Sequence, residues 1–317
     1  MPDRLPPLTA LRAFEAAARH MSFALAAAEL NVTPAALSFQ IKSLEEHLGS
    51  PVFKRLNRAI ELTEVGALLV PGTRDGFETL TGAWRGARRF LDQTHITVTA
   101  GPAFTSKWLA PRMFEFAQDH PEIELRFSAG LRMVDMDRDD VDVAIRFGYG
   151  PDDGVYSQWF MADYFTPLCT PDLAKTLKSP HDLAHQALLY SDDTAFLNPA
   201  CDWQAWFNAA GVHTSPPPGP HFNQADHALD AAMADGGVVL GRLALAQKSM
   251  REKRLVAPFK TALSTQAHFR ILCPLGAEKR PHIAAFLEWI DVQAQKDGDM
   301  AAGFTVVAAS DLRPSGA

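Results

Sequence analysis

The stretch NVTPAALSFQIKSLEEHLG, residues 31–49, contains both ends of a helix. Thr33 offers a side-chain oxygen to the open amides of a first turn, and Pro34 suits the first helical position because its missing N–H is not needed there. Leu37, Ile41, Leu44 and Leu48 then recur at helical spacing as one buried stripe, and Gly49 stops the helix. The opposite face carries Ala35, Ser38, Phe39 and Lys42. Just upstream, Ser22 caps a second short helix, FALAAAEL, which only Asn31, Val32 and Thr33 separate from the first. Two helices joined by so tight a turn form either a helix-turn-helix or an ordinary antiparallel pair.

The flanking sequence narrows that choice. An earlier helix, LTALRAFEAAARH, sets Leu8, Leu11, Phe14 and Ala18 on one face, with Ala17 beside them, enough to complete a three-helix core. After the pair comes SPVFKRLNRAIELTEVG, too short and irregular for another bundle helix, with apolar Val52 and Phe53 beside cationic Lys54, Arg55 and Arg58. This reads as a wing, a small hairpin whose cations meet phosphates. Affinity then comes from counterion release, and any base reading comes from the exposed helix face.

Residues 5–66, from LPPLTALRAFEAAARHMSF to IKSLEEHLGSPVFKRLNRAIELTEVG, resemble almost end to end the winged helix-turn-helix of LysR-type transcriptional regulators. The likeness is to the branch that contains the glycine-cleavage activator and the chromosomal β-lactamase regulator. It implies that Ser38, Gln40 and Lys42 occupy reading-helix positions and Arg55 and Arg58 wing positions. The DNA-facing set is therefore Thr33, Ala35, Ser38, Phe39, Gln40 and Lys42 on the helix, with Lys54, Arg55 and Arg58 on the wing. Phe39 stands where the family often has a basic residue or histidine, and Ala24-Leu25 where it commonly has Thr-Arg. A phenyl ring meets a thymine methyl where a cation would donate a hydrogen bond, so the operator sequence does not carry over.

Net charge of −7 looks wrong for a DNA binder until it is divided along the chain. Residues 1–95 hold 11 basic and 10 acidic side chains, while the remainder holds 19 and 27. The head is thus at +1 and the rest at −8. So few cations imply few phosphate contacts per chain, which favours an oligomer on paired half-sites of double-stranded DNA. A linker helix from Thr63 to about Leu91 carries Val65, Leu68, Leu69, Phe77, Leu80, Trp84 and Phe90, an apolar set too large to stand alone. The resemblance implies that this helix pairs with its copy in a second subunit, the alternative being packing on its own domain. Pro71, Gly72, Gly76, Gly82 and Gly86 lower its helix propensity and soften it.

Beyond His95 strands and helices alternate: ITVTA, KWLAPRMFEFAQDH, IELRFSAG, DVDVAIRFG, and later ADHALDAAMADG, GVVLG, AHFRILCP and HIAAFLEWIDVQAQ. Alternation of this kind implies α/β layers with mostly parallel sheets. It resembles the family's two-lobed effector domain, folded like a periplasmic solute-binding protein. The expected organisation is a winged helix-turn-helix at 1–62, a linker at 63–94 and an effector domain at 95–300. Lobe one takes 95–167 and 265–300, lobe two takes 168–264, and 301–317 forms a mobile tail.

A ligand cleft is expected between the lobes, where strand ends meet helix starts. Thr105 and Ser106 follow the first strand, where free amides hold a carboxylate. Asn223, Gln224 and Asp226 stand at the matching mouth, and Arg146 and Tyr149 add a cation and a ring. An anionic or amino-acid-like small-molecule effector fits that set, although each side chain has an alternative use in capping or solvation.

Other classes find little support. Cys169, Cys201 and Cys273 are widely spaced, with no CxxC or Cys/His metal pattern, so buried thiols are expected and neither metal nor cofactor is called for. No GxSxG elbow, Walker loop or HExxH occurs, and Asp139-Asp140 and Asp152-Asp153 are adjacent acids of the kind found in solvated turns, so no catalytic residue is assigned. No stretch has the apolar length of a membrane span and the N-terminus lacks a signal peptide's apolar core, which points to the cytoplasm. The expectation is a ligand-responsive regulator with promoter DNA, its own copies and RNA polymerase as partners. The rival is a solute- or partner-binding protein that uses its helical head only to dimerise.

Overall fold

The computed structural model describes residues 5–55, 60–91, 94–132, 135, 136, 139 and 141–312. These fall into two compact units that divide after Phe90.

In the first unit, α1 (Leu8–His20), α2 (Phe23–Glu29) and α3 (Pro34–Leu48) are followed by β1 (Phe53–Arg55), β2 (Ile60–Leu62) and α4 (Glu64–Leu91). The caps are those the residue types demand. Ser22 Oγ accepts the Leu25 amide at 3.3 Å and Thr33 Oγ1 the Ala36 amide at 3.2 Å. Gly49 ends α3 at φ 75°, a left-handed conformation that costs glycine little. Ala10, Ala13, Ala17, Ala26 and Ala27 are small enough to let the helices close on Phe14, Leu37, Ile41 and Leu44, all fully buried. Each large apolar side chain buried in this way contributes roughly 1.5–3 kcal/mol. Leu48 and Leu8 depart from the expected stripes, being 45% and 59% exposed, each the terminal residue of its helix.

β1 and β2 pair antiparallel as the wing, with Phe53 opposite Leu62. Phe53 packs its ring against Phe14 and Phe23, and Glu45 Oε1 accepts the Val52 amide at 2.9 Å, so the wing is tied to the reading helix. The linker helix starts where Thr63 caps the Gly66 amide at 3.0 Å and runs unbroken through Pro71. A Cβ at Gly66 would lie 2.2 Å from the Val52 carbonyl oxygen, so only glycine lets α4 approach the wing this closely.

The second unit holds two sheets. Lobe one has strands in the order β4 (Glu124–Ala129), β3 (His95–Ala100), β5 (Val143–Gly148), β12 (His268–Pro274), β6 (Val155–Met161). Lobe two has β13 (Thr305–Ala308), β11 (Thr261–Ser264), β7 (Tyr164–Leu168), β10 (Val238–Arg242), β8 (Leu188–Ser191), β9 (His221–Phe222). Lobe one packs α5 (Pro102–Phe104), α6 (Met113–Asp119) and α11 (Pro281–Asp297). Lobe two carries α7 (Pro171–Thr176), α8 (Trp203–Ala209), α9 (Ala225–Met233) and α10 (Leu243–Arg251).

Three expectations change here. The sheets are mixed, not mostly parallel: β3 runs parallel to β4 and β5, but β12 is antiparallel to β5 and β6, and β7 to β10 and β11. The chain passes between lobes three times, after β6, after β11 and again after α11 to reach β13, and β6, β7, β11 and β12 each run against at least one neighbour. The first passage lies at Ala162-Asp163, before β7, and not near Pro167. The helix expected over KWLAPRMFEFAQDH is broken into a π-turn at Thr105–Leu109, a 3-10 turn at Ala110–Arg112 and α6, around Pro111, which has no amide to continue the ladder.

Through Leu312 the expected mobile tail is instead part of lobe two, while 313–317 lie outside the described residues. Val306 pairs with Ala262 in a parallel ladder, and Ala309 is 4% exposed. TVVA has good strand chemistry and an open sheet edge to join, which a search for helical periodicity does not register. Asp297 closes α11 by accepting from Trp108 Nε1, Arg112 and Arg251 at 2.6–2.7 Å.

Candidate DNA-reading face and ligand cleft

Of the expected reading residues on α3, Ala35, Phe39 and Lys42 are exposed, with Ser38 and Gln40 half-buried beside them. Phe39 is 69% exposed, an unusual cost for a phenyl ring on a free surface. Thr33 is occupied as the cap, with its hydroxyl oxygen on the Ala36 amide. Gln40 Oε1 accepts from Thr9 Oγ1 at 3.1 Å, so α1 orients this side chain, a partner that sequence reading missed. Lys42 Nζ lies 3.6 Å from Glu46 one turn on, a solvent-exposed pair that exchanges readily for a phosphate. Lys54 is exposed on β1 and Arg55 ends that strand, while Arg58 lies outside the described residues.

Away from this face, Glu29 accepts from Arg19 and His20 at 2.6 Å, bridging α2 to α1. The hydrogen bond from Arg19 holds its carboxyl down at about 2.

The cleft between the lobes encloses about 280 Å³. Gly101, Phe104, Arg146 and Phe147 line it from lobe one, and Asp193, Phe196, Gln224 and Arg242 from lobe two. Of the residues expected there, Arg146 and Gln224 reach it. Arg146 donates to the Ile145 carbonyl, Thr99 Oγ1 and the Arg132 carbonyl, and no carboxylate pairs with it among the described residues. Burial lowers its pKa from the ordinary arginine value, the signature of a cation held from water without a counter-charge.

The other five are placed differently. The first helix begins at Pro102, so the Thr105 amide and hydroxyl both donate to the Gly101 carbonyl, at 2.9 and 3.0 Å, and are not free for a ligand. Ser106 Oγ donates to Asp226 Oδ2 at 2.9 Å, joining the lobes directly, and Lys107 Nζ to Asp230 at 2.6 Å adds a second strap. Tyr149 Oη accepts the Asn198 amide at 2.9 Å and donates to its carbonyl at 3.2 Å, a latch between the lobes. Asn223 is exposed and does not line the cavity.

Arg242 was not found from sequence. It ends the buried strand β10 with its side chain 8% exposed, Nε on Asp163 at 2.7 Å and Nη1 on Asp193 at 3.4 Å. Its guanidinium lies 3.9 Å from the Phe147 ring centre, so a lobe-two cation rests on a lobe-one aromatic. Asp163, at the first passage between lobes, also accepts the Tyr164 and Ala244 amides. Burial pushes its carboxyl up, while Arg242 and these amides pull it back. The available signal was an arginine closing the apolar run VVLGR, at a strand end where α/β sheets place ligands.

The three thiols are buried, and loss of solvation raises them to about 11 for Cys169 and about 12 for Cys201 and Cys273, which disfavours thiolate chemistry. Among the described residues there is no cluster of metal-binding side chains, and no helix is long and apolar enough to cross a membrane.

Comparison with known proteins agrees with both halves. Residues 8–67 match the bacterial regulatory helix-turn-helix of the lysR family, and residues 91–294 match the LysR substrate binding domain. The chain is 40% identical over 298 residues to the glycine cleavage system transcriptional activator of Escherichia coli, covering 93% of this chain and 96% of that one. It is 39% identical over 265 residues to the transcriptional activator AmpR of Pseudomonas aeruginosa, covering 83% and 88%. The effector domain of that AmpR superposes with a TM-score of 0.54 at 31% identity, covering 64% of this chain and 96% of that chain. CrgA of Neisseria meningitidis shares the fold over 92% of this chain, with a TM-score of 0.51 at 22% identity. These relatives are regulators and not enzymes, and a solute-binding protein with an idle head is not favoured. The chain belongs to the LysR family of DNA-binding, effector-responsive transcriptional regulators.

Proposed function

We propose that this regulator reads paired promoter half-sites with the exposed face of α3, and that an anionic small molecule held by Arg146 in the lobe cleft sets its activity. Arg146 carries the second part. A half-buried guanidinium with carbonyl and hydroxyl partners but no carboxylate among the described residues is poised to gain a charge-assisted hydrogen bond with a ligand carboxylate or phosphate. Gln224 faces it from lobe two, and Tyr149 with Asn198 latches the lobes together.

On the head, Phe39, Ser38 and Gln40 face bases while Lys42, Lys54, Arg55 and Arg58 meet phosphates, positioning without reading. Leu80, Trp84 and Leu91 are 54%, 69% and 82% exposed at spacings of four and seven along α4, an apolar stripe that supports pairing of linker helices between two subunits. Two heads then share the phosphate contacts that one weakly basic head cannot supply. Acting on promoters beside RNA polymerase places the protein in the cytoplasm. An effector that binds one arrangement of lobes about 1–3 kcal/mol better than another is enough to shift which half-sites are held.

The test is footprinting of the full chain on the intergenic DNA beside its own gene, at two salt concentrations with unrelated competitor DNA, with and without a panel of carboxylates and phosphates. A competitor-resistant footprint whose extent changes with one anion, and no longer changes in Arg146→Met, is the expected result. A footprint that responds equally in Arg146→Met moves the effector elsewhere, and salt-labile binding without a footprint removes the half-site reading.

A further inference from the structure

Lobe two encloses a second and larger chamber, of about 450 Å³, behind the loop 192–202. Every residue lining it lies between Phe165 and Arg242, so no part of lobe one touches it, and it stands apart from the anion reading of the cleft. Its floor is apolar, with Phe165, Trp203, Leu229 and Leu240. Its polar groups carry both signs.

Three carboxylates come from one loop. Asp193 is engaged, accepting from Ser191 Oγ at 2.8 Å and from Arg242 Nη1 at 3.4 Å. Asp192 meets His221 Nδ1 at 2.9 Å, with both side chains more than half exposed, and Asp202 caps α8 through one oxygen on the Ala205 amide at 2.8 Å. Asp192 and Asp202 therefore leave an acidic mouth with acceptor capacity to spare. In the wall stands Arg242, 8% exposed, whose Nη2 is buried with no hydrogen-bond partner among the described residues. A buried N–H with no acceptor is uncommon in folded proteins, and a guanidinium N–H is best matched by a carboxylate.

We propose that this chamber is a second ligand site, taking a small zwitterion of the α-amino-acid type. The carboxylate meets Arg242, the ammonium sits between Asp192 and Asp202, and an apolar side chain covers the floor. A simple amine would leave Arg242 unmatched, and a simple acid would face the acidic mouth.

The site is coupled to the cleft by shared walls. Asp193 and Arg242 line both cavities, and the loop that supplies Asp192, Asp193 and Asp202 to the chamber sends Phe196 into the cleft and gives Asn198 to the Tyr149 latch. A ligand that fixes this loop from one side changes the cleft from the other, and the coupling acts equally in both directions.

The experiment is titration calorimetry on the full chain with the standard L-amino acids one at a time, preceded by a thermal-shift screen. The tightest binder is then compared with the amine lacking its carboxylate and the acid lacking its ammonium. Each half-molecule is expected to bind at least about tenfold more weakly, the loss of one charge-assisted hydrogen bond. Asp202→Asn, which keeps the helix cap, and Ala200→Trp, which fills the chamber, should each weaken binding about tenfold as well, while Asn223→Ala, exposed and lining neither cavity, leaves it within about twofold. If Ala200→Trp does not fold, Asp202→Asn carries the test. Absence of binding by every amino acid at about 10 mM overturns the proposal. So does an amine half that binds as tightly as the whole, or binding that survives Asp202→Asn and disappears in Arg146→Met.

Discussion

The head and the effector domain place their proposed working groups in opposite settings. On the head they stand in water: Phe39 is 69% exposed and the Lys42 side chain 73%, over a core made close by alanines. In the effector domain the corresponding groups are withdrawn, with Arg242 8% exposed and Arg146 half-buried with its pKa lowered by burial. A surface that reads DNA exchanges water for phosphate and bases, so its side chains must be reachable and its charge must not be negative. A cleft that discriminates small molecules gains from desolvation, where each hydrogen bond is stronger and each missing partner costs more. The division of charge, +1 over residues 1–95 and −8 beyond, follows the same logic.

The largest effect should come from the head's core. Phe14→Ala removes a fully buried ring that packs on Phe53, at a cost of about 4 kcal/mol. Calorimetry should then show the head melting early and promoter binding lost, with the effector domain's transition in place. A joint shift of both transitions would break the separation into two units. From the other side, Asp163→Asn leaves Arg242 buried with one carboxylate fewer, at a cost of about 3 kcal/mol. It should lower the effector domain's melting temperature and leave nonspecific DNA affinity unchanged.

A smaller effect sharpens the account of the cleft. Tyr149→Phe removes the hydroxyl that bridges to Asn198, worth about 1 kcal/mol. The concentration of effector that gives half-maximal response should shift about fivefold, without change in DNA affinity in its absence. Lys42→Ala should reduce the salt slope of DNA binding by about 1 while changing stability by less than about 0.5 kcal/mol. An unaltered slope would remove Lys42 from the phosphate contacts.

The smallest effect is a pH dependence confined to the head. Glu29 is lowered from 4.5 to about 2 by Arg19 and then His20, so its contribution to stability is present above 4.5 and fades as pH falls toward 2. Glu29→Gln should therefore melt slightly below wild type at neutral pH, with the gap closing over that acid range. A gap that persisted at pH 2 would assign the effect to packing.

The legibility of the two regions differs for the same reason as their settings. α3 could be placed from Thr33, Pro34 and Gly49, and its outward face from helical spacing, because caps and periodicity are local properties of contiguous residues. Thr9 on Gln40 was not legible, since 31 residues separate them. In the effector domain the alternation of elements implied α/β lobes, but mixed strand order and the strand at Thr305–Ala308 depend on which edges are open after folding. Thr105 and Ser106 were chosen as ligand groups from the position of a helix start, and the actual start three residues earlier turned Thr105 back on its own helix.

By itself the sequence determined the helix-turn-helix, its capped ends, the wing, the linker and the acidic character of the effector half, all of which follow from short-range chemistry and summed charge. Only the tertiary structure decided that Arg146 meets no carboxylate among the described residues while Arg242 meets two, and that one loop walls two cavities. Whether a cation is paired depends on residues about 50 to 80 positions away being brought within about 3 Å, and no local pattern encodes that approach.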